Sequence, residues 1–274
     1  MAHTRWVTRE GYLLDNAAAV AGARFDALAQ LFDPSTFRHI EALGIGEGWR
    51  CWEVGAGGTS VVRWLAARVG PAGHVLATDI DVSWMEAAAA DHVAIRRHDV
   101  AADPPPDIAF DLVHARLVLV HVAERERALG QMISALRPGG WLLVEDADPA
   151  LQPLACLDPR GPAEALANRL RTEFRALLAE RGADLAYGRR LPRALRDAGL
   201  CDVAADAYFP VALPACAALE HRTFEHVRDM LIASGRATAE EIDRHLANID
   251  AGALDLALAP MISAWGRRPE ADAR

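Results

Sequence analysis

The chain has 274 residues, 52% of them hydrophobic and 24% charged, enough for one large α/β domain with extra helices or a small cap. Its net charge is −9, from 29 basic and 38 acidic side chains, and without a basic stripe a nucleic-acid partner is disfavoured. No stretch reaches the roughly 18–20 apolar residues of a membrane span. The first ten residues are polar with no apolar signal core behind them, so a cytoplasmic protein is expected. Cys51, Cys156, Cys201 and Cys216 have neither Cys-x-x-Cys nor zinc spacing, and reduced thiols with no metal are expected.

Taken in order, residues 11–31 place Leu14, Ala17, Ala18, Ala21, Phe25, Leu28 and Leu31 at helical spacing. Asp33-Pro34-Ser35 predicts a break, with Pro34 opening a second helix to Leu43. Strands are then predicted over 50–54, 74–78, 93–98, 109–114 and 141–145. Helices are predicted over 59–69, 82–91 and 124–136, and Arg137-Pro138-Gly139-Gly140 as a type II turn. The second half reads as helices over 162–181, 191–198, 216–234 and 238–248, the last capped by Thr238. A strand is expected over 202–210, and a final one within 254–265, confined to an edge or split by Pro260. Strands alternating with helices over short loops predict an α/β fold: a Rossmann-like, doubly wound, mostly parallel sheet with N-terminal helices and an inserted helical cap. The expected division is an N-terminal helical lid over 1–48, a ligand-binding core over 49–146, sheet completion and cap over 147–266, and a tail over 267–274.

Chemistry is expected outside the carboxyl ends of the strands. There Glu53-Val54-Gly55-Ala56-Gly57-Gly58 joins the first strand to its helix, and glycines let backbone turn tightly beside a ligand. The second strand ends at Asp79, where an acidic side chain accepts from ribose hydroxyls; the plainer alternative is that Asp79 caps a helix, with Asp81 as a rival cap. His98-Asp99-Val100 closes the third strand. Asp99 could accept from an exocyclic adenine amine while Val100 covers the ring; a solvated loop carboxylate is the plainer alternative.

Glu53-Val54-Gly55-Ala56-Gly57-Gly58, Asp79, Asp99, Phe110-Asp111-Leu112-Val113-His114 and Leu136-Arg137-Pro138-Gly139-Gly140 together resemble the successive motifs of class I S-adenosylmethionine-dependent methyltransferases, over residues 49–145. That resemblance implies seven strands, the last antiparallel, and S-adenosylmethionine as cofactor. It implies that Gly55, Gly57 and nearby backbone, with Glu53 and Ala56, hold the methionine part. Asp79 with Ile80 would hold the ribose, and Asp99 with Val100 the adenine. His114, Ala115 and Arg116 would border the sulfonium. Similar methyltransferases use an N-terminal helix as a lid, which here points to Tyr12, with Leu13 and Asn16.

Methyl transfer is an in-line displacement, so positioning carries most of it, and a base is needed only for a protonated acceptor. His114 and His121, with Arg116 between them, are the catalytic candidates; each histidine is at least as readily a residue that shapes the pocket. The cap residues suit a small organic acceptor, a secondary metabolite or quinone-type compound by family analogy, and a homodimer is left open. Two alternatives stand beside this reading. One is a protein that binds the same cofactor without methylating, for instance to steer a cyclisation. The other is a nicotinamide dehydrogenase, which the absent Gly-x-Gly-x-x-Gly fingerprint opposes.

Overall fold

The computed structural model describes residues 21–270. It contains α1 (Ala21–Ala42), β1 (Arg50–Val54), α2 (Ser60–Val69), β2 (His74–Asp79), β3 (Val93–Arg97), β4 (Phe110–Arg116), α3 (Arg125–Ser134) and β5 (Leu136–Ala147). These are followed by α4 (Pro162–Glu180), α5 (Leu191–Asp197), β6 (Cys201–Tyr208), α6 (Pro214–Ala233), α7 (Ala239–Asp250) and β7 (Met261–Arg267). The seven strands form one sheet in the order β3-β2-β1-β4-β5-β7-β6. β1 through β5 are parallel, and β7 runs antiparallel to both β5 and β6. The chain leaves β1 for β2 on one side and returns to place β4 on the other, so the order reverses between β1 and β4. In an open α/β sheet that reversal opens a crevice at the carboxyl ends of the two strands.

The parallel strands are apolar on both faces because helices cover both. One face buries Trp52, Phe110, Leu142 and Val144 against Ala128, Leu129 and Met132 of α3 and Leu191 and Leu195 of α5. The other buries Cys51, Val75, Leu112 and Leu143 against Val61, Val62, Leu65 and Val69 of α2 and Ile40 of α1. Each fully buried Val, Leu or Phe contributes about 1.5–3 kcal/mol. The helices α4, α6 and α7 form a cap with its own core around Leu170, Phe224, Val227, Leu231 and Ile242. α7 starts at a capping box: Thr238 Oγ1 accepts from Glu241 N–H while the Glu241 carboxylate accepts from Thr238 N–H.

Three local expectations fail. α1 runs through Pro34 without a break. A mid-helix proline costs about 3 kcal/mol, but here tertiary bonds hold its neighbours: Arg116 binds both Asp33 and Thr36. The helix expected over 82–91 is a single 3-10 turn, Glu86–Ala88. Asp81 draws Ser83 N–H onto its carboxylate, and Ala90 turns back to bridge Val93, which leaves no length for a helix. The turn expected at Arg137-Pro138-Gly139-Gly140 is present, with Gly139 at φ 74° as the third position of a type II turn requires. Its residues are looped out within β5, where the pairing with β4 shifts between Phe110 and Leu112. β7 is neither the edge strand nor the split strand expected: it lies unbroken between β5 and β6, because it begins just after Pro260, where a missing N–H costs no ladder bond.

Candidate active site

The crevice between β1 and β4 is framed by the glycine loop. Gly55 and Gly57 have φ of 63° and 59°, a region that glycine enters without strain. Ala56 N–H donates to Thr78 O at 3.0 Å, and Gly57 N–H donates to Asp79 Oδ2 at 2.9 Å. The loop is therefore tied to the end of β2. Two side chains wall it. A Cβ on Gly55 would collide with Val118, in the loop after β4, and one on Gly57 would lie 2.8 Å from the Phe25 ring of α1.

Asp79 is buried and its second oxygen accepts from Asp81 N–H at 3.0 Å. Burial pushes its carboxyl above the usual range, against the pull of the Gly57 and Asp81 N–H donors. Both oxygens are thus fixed by backbone and keep lone pairs for a further donor. Ile80 beside it is 51% exposed, and Trp84 packs on Gly22 at the start of α1. His98 N–H donates to Asp79 O at 2.9 Å, which sets Asp99 just beyond Asp79. Asp99 accepts from Ala101 N–H and its own N–H donates to Asp103, so it sits in a closed turn. Val100 and Ala115 point into the core on the α3 side.

Glu53 and His114 lie opposite each other on β1 and β4 and share one face of the sheet. His114 is fully buried; its Nδ1 lies 2.6 Å from Glu53 Oε2 and its Nε2 lies 3.2 Å from Glu145 Oε2. Two carboxylates require both ring nitrogens to donate, so the ring is an imidazolium. Burial pushes it down, but Glu53 and Glu145 outweigh that and raise it to about 9. Glu145 is held below the usual carboxylate range: burial opposes ionisation, and bonds from His114 and His39 outweigh it.

Arg116, Glu145, Ser263 and Asp206 stand in one register row across β4, β5, β7 and β6. Ser263 donates to Glu145 Oε1 at 2.6 Å, and Thr36 of α1 donates to Oε2. His39 of α1 bridges Glu145 at 3.3 Å and Asp206 at 2.8 Å. Arg116 bonds Thr36 and Asp33, each at 2.9 Å, which commits it to α1. His121 differs: burial, then Arg24 and Arg125, lower it to about 4, so it is neutral at pH 7.

The structure thus brings Gly55, Ala56, Gly57 and Asp79 together at the crevice, and places Glu53, His114 and Arg116 in a buried ionic network behind it. Tyr12 lies outside the described residues, as do Leu13 and Asn16. Sequence reasoning missed Phe25 and Val118 as walls, and Thr36, His39, Glu145 and Asp206 as network members. A signal existed for Glu145: an ionisable residue continuing the apolar run Trp141-Leu142-Leu143-Val144 of a buried strand must find a partner. Among the described residues no cluster fits a metal ion, and no helix is long and apolar enough to cross a membrane.

Residues 52–144 match the family model described as "Methyltransferase domain". The chain is 30% identical over 145 residues to the ubiquinone/menaquinone biosynthesis C-methyltransferase UbiE of Bordetella avium strain 197N, covering 48% of this chain and 56% of that protein. It is 32% identical over 177 residues to the methyltransferase str2 of Strobilurus tenacellus, covering 64% and 62% respectively. The chain spans about half the length of the curated relatives it matches first. Among solved structures, phosphoethanolamine N-methyltransferase 2 of Haemonchus contortus, in complex with phosphomonomethylethanolamine and S-adenosylhomocysteine, has a TM-score of 0.58 at 15% identity, over 94% of this chain and 59% of that one. The YcgJ protein of Bacillus subtilis has a TM-score of 0.55 at 14% identity, over 87% and 100%. These structural likenesses concern the fold.

Proposed function

We propose that this chain, whose residues 52–144 match the methyltransferase-domain family model, is a class I S-adenosylmethionine-dependent methyltransferase that transfers the methyl group of that cofactor to a small apolar acceptor. The observation that carries the reading is the pinned pair of glycine loop and Asp79 at the sheet's reversal point. The residues fit the cofactor. Backbone at Gly55, Ala56 and Gly57 would face its methionine part. Asp79, oriented by two N–H donors, would accept from the ribose hydroxyls, with Ile80 alongside, and Asp99 would meet the adenine amine. When bound, the cofactor supplies a methyl already activated on sulfonium sulfur.

What the chain then contributes is placement. Leu117, at φ 58°, follows β4 in the left-handed region, a strained geometry for a branched residue that turns the loop toward the crevice. It packs with Leu31, Phe32, Cys156, Cys216, Leu256 and Met261 in an apolar cluster beyond the ends of β4, β5 and β7. These side chains are packed core; an acceptor reaching the rim of that cluster would meet apolar side chains, which favours an apolar acceptor over a charged one. His114 has no ring nitrogen left to take a proton, and His121, at about 4, is too weak a base to ionise a phenol at neutral pH. We therefore assign both histidines to shaping the site and the rate to alignment. A dinucleotide reading is opposed by β7, which runs antiparallel between β5 and β6 where the dinucleotide fold continues parallel.

The test is transfer of label from methyl-labelled S-adenosylmethionine to a panel of apolar phenols, hydroquinones and amines, beside charged analogues of each. Transfer confined to apolar members is expected. Cofactor binding with no transfer to any member favours the non-methylating alternative, and transfer confined to charged members contradicts the apolar assignment.

A further inference from the structure

The polar chain beneath α1 has no part in the transfer step. Glu53, His114, Glu145, His39 and Asp206 alternate carboxylate and imidazole across β1, β4, β5, α1 and β6, with contacts of 2.6, 3.2, 3.3 and 2.8 Å. His114 has a carboxylate oxygen hydrogen-bonded at both nitrogens, and a neutral ring would turn a lone pair toward one of them. His39 bonds Asp206 through Nε2, with Arg38 also 3.0 Å from that nitrogen, and its Nδ1 faces Glu145 without a hydrogen bond. With Asp33, the carboxylates Glu53, Glu145, Asp206 and Asp33 are opposed by Arg38, Arg116, the His114 imidazolium and His39, whose ring burial pushes down and Glu145 and Asp206 push up the more. A balanced charge set is the condition for burying it.

The chain grips one half of α1. Asp33, Thr36 and His39 are all held from the sheet. The other half of the same helix lays the Phe25 ring over Gly57 and Gly58 and sets Gly22 on Trp84. An α-helix is stiff where successive turns are bonded to one another. Pro34 removes one such bond between the two halves, and Arg116, which holds Asp33 before it and Thr36 after it, carries the coupling across. Whatever fixes His39 therefore also fixes Phe25 above the glycine loop.

We infer that His114 and His39 are positioning residues for cofactor binding: buried imidazoles whose carboxylate partners dock α1 and so set the wall of the glycine loop, without touching cofactor or acceptor. The inference rests on the methyltransferase reading. The test is calorimetric titration of S-adenosylhomocysteine into the wild type, His114→Gln, His39→Gln, Phe25→Ala and the His39→Gln/Phe25→Ala double variant, at a temperature where circular dichroism shows each folded. His39→Gln lies farthest from the glycine loop and carries the test if His114→Gln does not fold. Expected are a loss of affinity of at least fivefold in His39→Gln, faster tryptic cleavage at Arg24 and Arg38 in α1, and a double variant little weaker than Phe25→Ala alone, because the two act through one helix. In histidine-15N-labelled wild type, the ligand should shift the buried His39 and His114 ring signals, which a purely structural pair would keep still. Unchanged affinity in His39→Gln, additive losses in the double variant, or ring signals unmoved by the ligand each overturn the inference. A wild type that does not take up S-adenosylhomocysteine overturns the functional reading instead.

Discussion

Glu145 and Asp146 sit side by side on β5 and enter opposite faces of the sheet, and the two faces treat a buried carboxyl in opposite ways. Beneath α1, Glu145 meets His114, His39, Thr36 and Ser263 and is held ionised. On the α3 side, Asp146 is also fully buried, but neither oxygen makes a close hydrogen bond. Burial lifts it to about 8; the backbone N–H groups of Val120, Leu119 and Val118 and the charge of Arg125 only partly oppose that. Burial alone thus decides little. The partners that the topology delivers decide whether a carboxyl in the core is an anion that docks a helix or a protonated group that weakens the fold.

The comparison can be broken most sharply at His114. His114→Leu leaves Glu53 and Glu145 facing each other without a cation and should cost about 3–5 kcal/mol in chemical denaturation at pH 7. The sign with pH follows from the raised value. His114 stabilises fully below its unfolded value of about 6.5, and the contribution is lost as pH rises through about 9. The gap between wild type and His114→Leu should therefore narrow across that window; a constant gap would mean the ring is not charged.

Asp146→Asn is the opposite case. The folded state keeps the proton and the unfolded state sheds it, so wild-type stability falls as pH climbs from about 4 toward 8. The asparagine should stabilise by on the order of 3 kcal/mol at pH 7, read from urea midpoints, with little gain at pH 4. A destabilised asparagine variant would show that Asp146 is ionised and bonded.

At the crevice, Asp79→Ala should weaken cofactor affinity by about 1–3 kcal/mol, roughly 5- to 150-fold, the loss of a charge-assisted acceptor, with stability less affected than in His114→Leu. The smallest effect is expected at Thr36→Val, which removes one hydroxyl from Glu145 and should cost about 1 kcal/mol. A cost as large as that of His114→Leu would move the hub of the network from the imidazole to the hydroxyl.

The same contrast explains what the sequence could say. The glycine loop and Asp79 lie at strand ends a short distance apart in the chain, and their roles follow from local conformation and strand order. The network could not be read that way. His114 meets Glu53 and Glu145, 61 and 31 positions away, and His39 meets Asp206 across 167; only the sheet's register and the docking of α1 bring them together. His114 therefore looked like a base at the mouth of the site, when its position along β4 turns it into the core. Pro34 misled for a related reason: the bonds from Arg116 that hold α1 on both sides of it come from β4. The helix expected over 82–91 failed because alanine propensity is weak beside the Asp81 turn and the Ala90 bridge.

The central claim is that the loop after β1 and the carboxylate ending β2 hold an adenosyl sulfonium compound. Its most direct test is side-by-side calorimetry of the purified protein with S-adenosylhomocysteine and with a nicotinamide dinucleotide, repeated on Asp79→Ala. The account predicts saturable binding of S-adenosylhomocysteine alone, weakened in the variant. Binding of the dinucleotide alone, or homocysteine-compound affinity indifferent to Asp79, would contradict it.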